Sequence, residues 1–204
     1  GRHWLDLVRY AESTANDANA VMGHAWRYRN YVIDAFNNDL PYDQFLIEQL
    51  AGDLLPPTES VAVNTRRVIA TGYLMIGPKA LAETDKEQSR LDIVDDQIDV
   101  TGRAMLGLTL ACARCHDHKF DAIRATDYYA LAGIFKSTRT METYTKVARW
   151  HENLLPSAAA TQMKVEFEAR VAEKRKAIET FVAEADQKAR SGLAADASFR
   201  DPKP

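Results

Sequence analysis

Residues 106–121 read Leu106-Gly107-Leu108-Thr109-Leu110-Ala111-Cys112-Ala113-Arg114-Cys115-His116-Asp117-His118-Lys119-Phe120-Asp121, and they hold both cysteines of the 204-residue chain. Two thiols three residues apart would close only a tiny loop, so this is not a disulfide scaffold. The same spacing, C-x-x-C-H, is the attachment signature of c-type haem. Two thiols on one helical turn can add to the two vinyl groups of a single porphyrin. A histidine directly after the second cysteine then lies under the ring with a nitrogen for the iron. The motif therefore predicts one covalent haem on Cys112 and Cys115, with His116 as the metal ligand. Three other readings use the same residues. A thioredoxin-type redox pair expects a strand-to-helix context. A zinc site would have to close on Cys112, Cys115, His116 and His118, which are crowded for a tetrahedron. The thiols could also be inert and buried.

Outward from this segment the pattern is helical nearly throughout. Leu5 and Val8 predict a helix over roughly 3–14, and Ser13 to Gly23 reads as a loop. A second helix spans about 26–38, with Tyr28, Val32, Ala35 and Phe36 inward. Pro41 opens a third through Leu50, and a fourth covers 61–75 before Gly77-Pro78. A long pattern runs from Thr84, the expected N-cap with Glu87 as its capping-box partner, to about Leu108. Thr126-Asp127 caps a helix from Tyr128 to Phe135, and the one short alternating stretch is 143–147. The expected fold is all-α: a helical haem domain over 1–155, then a helical arm and tail over 156–204. In the arm, Phe167, Val171, Lys174, Ile178, Phe181 and Ala185 recur at steps of 4 and 3, a coiled-coil-like seam. Lys174 argues against a parallel homodimer, and a hairpin with a downstream helix is expected to cover the seam. The tail after Gly192 reads as flexible.

Composition narrows the class. With 46% apolar residues the chain can bury a core. Lys+Arg is 26 against Asp+Glu 29, which argues against a general nucleic-acid binder. No run reaches the roughly 18 apolar residues of a membrane helix. The chain opens in helical pattern at Gly1-Arg2-His3-Trp4, which suggests a piece of a longer protein.

The segment 106–121 resembles the haem segment of the planctomycete-type cytochrome c domain, the larger type found in multidomain proteins. Trp4 to Ser13, Ala25 to Arg29, and Pro41 through Pro56 carry the same likeness, as does Asp127-Tyr128-Tyr129 to Phe135, so that it covers about 1–150. Ala122 departs from it, since a proline usually follows that aspartate. The resemblance implies an exported protein, periplasmic or at the cell surface, with a downstream domain of the same chain as a partner. From it and the motif, the expected function is electron transfer by one haem c to a redox partner protein. Two alternatives stand beside it: the haem-bearing part of an oxidoreductase acting on a polysaccharide or sugar held downstream, and a haem-stabilised interaction module.

Other candidates are less distinctive. His118 cannot reach the opposite face of a ring ligated by His116, and is expected to bind a propionate or support the site from behind. Arg9, Arg27, Arg29 and Arg114 are candidate propionate partners, Arg27 and Arg29 foremost. His3, His24, His151, Met22, Met75 and Met141 are candidate distal ligands. Asp92, Asp95, Asp96 and Asp99 share one helix face, which would be solvated or paired with arginines, bind Ca²⁺, or dock a basic partner.

Overall fold

The computed structural model describes every residue except 16, 17, 146, 156, 157 and 196–204, and the side chains of all the rest save 158–161 and 193–195. The chain is mostly helical and divides into two compact units, Gly1–Leu155 and Pro156–Pro204.

In the first unit, α1 is Arg2–Leu7, α2 Ala25–Asn37, α3 Tyr42–Ala51, α4 Val61–Ala70, α5 Lys86–Thr101 and α6 Ala125–Phe135. The first helix is much shorter than its apolar spacing predicts. Arg9 takes a left-handed φ of 55°, which a right-handed helix cannot continue through. The described residues of the loop expected over 13–23 are non-helical, with a bridge between Ser13 and Val21. Helix α2 buries Tyr28, Val32 and Ala35 as expected, but Phe36 is 53% exposed. It packs edge-on against Phe45 of α3 at the rim rather than entering the core. Helix α4 gives way to a 3-10 turn over Thr71–Leu74, so the expected 61–75 helix is two pieces. The N-cap of α5 is Asp85, not Thr84: its carboxylate accepts the Gln88 N–H at 3.0 Å. Of the described residues in the short strand expected at 143–147, Thr143 alone lies in a strand. Strand β1 (Met141–Thr143) pairs antiparallel with β2 (Arg149–Trp150).

The main core gathers Trp4, Val8, Tyr28, Val32, Phe45, Tyr73, Ile76, Val94, Ile98, Leu110, Tyr128 and Phe135 from α1 to α6. Trp4 and Glu48 find polar partners inside it. Trp4 Nε1 donates to Gln49 Oε1 at 3.1 Å, and wholly buried Glu48 accepts Arg66 Nε at 3.1 Å and Nη2 at 2.6 Å. Helix α5 crosses this core and packs on α6, on the turn before the cysteines and on the turn that carries Cys112, so it is the support on which the motif rests.

The described residues of the second unit form one helix, α7 (Ala158–Ala195). Its C-terminal end passes Gly192, and the remainder of the expected flexible tail lies outside the described residues. No described helix is long and apolar enough to cross a membrane.

Candidate functional site

The approach to the cysteines is set by two glycines. The end of α5 widens into a π turn over Gly102–Leu106. Gly107 stops it at a left-handed φ of 68°, a conformation glycine adopts at little cost. Gly102 lies so close to the next turn that a Cβ there would stand 2.7 Å from Leu110 Cγ and 2.8 Å from the Leu108 carbonyl oxygen.

Leu110–Arg114 then form a 3-10 turn, and its period of three sorts the side chains. Leu110 and Ala113 fall on the buried side and anchor the turn in the main core. Cys112 and Cys115, also three apart, fall together on the solvent side, and both are free and exposed. The inert buried reading of the thiols is thus excluded, and no strand leads into the turn as a thioredoxin-type context would require.

Beyond the cysteines, His116 and His118 have opposite fates. His116 is exposed, and its Nδ1 lies 2.8 Å from the Asp117 carbonyl oxygen. A carbonyl only accepts, so the Nδ1–H donates and Nε2 carries the free lone pair. Among the described residues no group hydrogen-bonds that Nε2. The His118 ring is 6% exposed and used at both ends. Its Nδ1 accepts the Asp121 N–H at 2.9 Å, and its Nε2 meets Thr109 Oγ1 at 2.9 Å, hence as donor. Asp121 Oδ2 also lies 3.2 Å from Nδ1, a contact that pairs charge only when the ring is protonated. His118 therefore staples residues 109 and 121 across the motif. It is not free to complete a zinc tetrahedron, and among the described residues no three His, Cys, Asp or Glu side chains converge on a metal position.

Two more ties hold the segment. Asp117 Oδ1 accepts the Ala125 N–H at 2.8 Å, linking the motif to the start of α6. Arg114 Nη1 donates to Asp95 Oδ2 at 2.9 Å, and the other oxygen of Asp95 accepts the Tyr128 hydroxyl at 2.5 Å. Burial, then that hydrogen bond to Asp95, push the Tyr128 phenol well above its ordinary range. Tyr129 Oη closes the clasp by donating to the Arg114 carbonyl at 3.0 Å.

The acidic face of α5 is thereby explained as a row of ion pairs. Asp92 and Asp95 meet Arg114, Asp96 meets Arg9, and Asp99 meets Arg103 at 2.8 Å. The arginine-paired reading of this face holds. Among the other candidates, Arg27 stacks on Trp26 at 4.7 Å and lines a cleft of about 500 Å³ between α2 and α4. Arg29 pairs with Glu12 at 2.6 Å. Met22 and Met141 are buried, and Met75 packs against the small cluster around Leu81 and Ile93. His151 sits between Glu142 and Asn153, while His3 and His24 are exposed. Sequence reasoning missed Thr109, Asp117 and Tyr129 as supports of the site, because each acts through a partner that only folding brings near.

The site is a solvent-facing pair of thiols with one imidazole nitrogen beside it, on a turn clamped to a helical core. The chain belongs to PSCyt2, described as a protein of unknown function (DUF1549), whose family model matches residues 1–140. That description assigns neither cofactor nor reaction. No curated protein and no solved structure matches the chain.

Proposed function

We propose that residues 1–155 are a c-type haem module, carrying one covalent haem on Cys112 and Cys115, with His116 as the iron ligand. Its role is electron transfer to a redox partner, in the periplasm or at the cell surface, where this kind of attachment takes place.

The observation that supports this reading best is the state of His116. Its Nδ1–H is held by the Asp117 carbonyl, which leaves Nε2 free on the residue that follows two exposed thiols in the chain. A backbone carbonyl on the far ring nitrogen fixes the tautomer and raises the basicity of a ligating imidazole. Exposed thiols on one face of a 3-10 turn suit two bonds to one planar group. Haem, when bound, supplies a one-electron couple. The chain attaches it, orients the imidazole through Asp117, and keeps the turn rigid through His118, Thr109 and Asp95. His118 serves here as a support from behind the ligand.

The test is to express the chain in a host that exports it and attaches haem, then extract with acidified acetone. Colour should stay on the polypeptide, and Cys112→Ala/Cys115→Ala should lose it. His116→Ala should keep the thioether-bound colour but shift the absorption bands of both oxidation states. Colour passing into the solvent, or an unchanged His116→Ala spectrum, would refute the assignment.

A further inference from the structure

Helix α7 has 38 residues, about 57 Å at 1.5 Å per residue, and its apolar stripe is uncovered. Phe167, Ile178 and Phe181 are 65%, 62% and 71% exposed. A stripe of that size needs an occupant. We propose that the occupant is α7 of a second copy, lying antiparallel, with Phe167 against Ala185, Val171 against Phe181 and Lys174 against Ile178.

Charge and size together select this arrangement. In a parallel pair, Lys174 would face its own copy and Arg170 would lie across from Arg175, so like charges would meet in the seam and at its edge. Reversing one helix separates the two Lys174 side chains and takes Arg170 away from Arg175. Each layer then joins a larger side chain to a smaller one, and Lys174 lays its aliphatic stem along Ile178. On one edge, Arg170 of each copy comes beside Glu184 of the other, an attraction made twice by symmetry. Ala177 meets its own copy between them, small enough for the helices to approach closely. On the opposite edge Arg175 approaches its counterpart, with Glu179 one turn along the same helix to offset the repulsion.

Sedimentation of the 204-residue chain over a range of concentrations tests this. A reversible dimer is expected. Arg170→Glu and Glu184→Arg should each weaken it by about tenfold, because two attractions become two repulsions. The double variant R170E/E184R should regain parental affinity. An equimolar mixture of the two single variants should dimerise as well as the parent, since both 170–184 pairs are again opposite in sign. A monomer at all concentrations overturns the proposal, including one whose stripe resists proteolysis because another part of its own chain covers it. So does a dimer indifferent to the single reversals, or a mixture no tighter than its components.

Discussion

Lys79 is 4% exposed, and its ammonium lies 3.9 Å from Asp96 Oδ2 with no hydrogen-bond partner among the described residues. Burial first, then the neighbouring Arg9 against the help of Asp96, lowers its pKa from 10.5 to about 8. Below pH 8 the folded and unfolded chains both hold the proton, and the folded chain bears the cost of the buried charge. Between about pH 8 and 10.5 the unfolded chain keeps a proton that the folded chain has released, so stability must rise with pH. One full unit of that difference is worth about 1.4 kcal/mol, which integrates to about 2 kcal/mol between roughly pH 7 and 9.5. The measurement should stop there. Tyr10 and Tyr73 are held up to about 12, chiefly by burial, so above pH 10 the folded chain keeps protons that the unfolded one loses and stability falls. Lys79→Met removes the titration at nearly constant volume and leaves Arg9 to neutralise Asp96. Urea unfolding followed by tryptophan fluorescence isolates the first unit, because Trp4, Trp26 and Trp150 all lie within it. The parent should gain about 2 kcal/mol across this window, and K79M should stay flat. A flat parent, or a variant that rises equally, would refute the account of Lys79 as a charge buried at a cost.

Gly102→Ala should cost about 1–3 kcal/mol and lower the thermal midpoint, because its Cβ would press into Leu110 and the Leu108 carbonyl. The cysteine turn should shift with Leu110, read as altered thiol reactivity; a variant of parental stability would show that the close approach carries no constraint. Asp95→Ala should cost about 1–3 kcal/mol, mostly from stranding the buried Tyr128 hydroxyl, with a smaller share from half-exposed Arg114. Asp95→Asn keeps an acceptor and should cost less by urea unfolding. Equal losses would mean that the charge, not the hydrogen bond, matters.

The helices were legible because helical period is a local property. Apolar spacing at 3 and 4 residues marked α2 through α6 before any partner was known. Boundaries were less so. Arg9 leaves the helix at a positive φ to reach Asp96, a residue 87 positions away, and no local propensity announces that. Thr84 and Asp85 are both good caps, and the choice between them depends on how α5 docks. Phe36 fits the inward stripe of α2, yet the core is filled there by Phe45 and Tyr31, leaving Phe36 at the rim.

The chemistry divides along the same line. C-x-x-C-H places two thiols and an imidazole within five residues, and the chain needs no distant contact to bring them together. What separates His116 from His118 is tertiary. Thr109 and the Asp121 amide consume both nitrogens of one ring, while the other keeps a nitrogen free. The acidic run on α5 could have been a cation site by spacing alone. Arg9 and Arg114 arrive from distant segments, Arg103 from one turn further along, and together they neutralise it. Spacing along a helix determines which side chains share a face. Which charges and surfaces meet that face depends on long-range packing, and the burial of Glu48 and Lys79 was decided there.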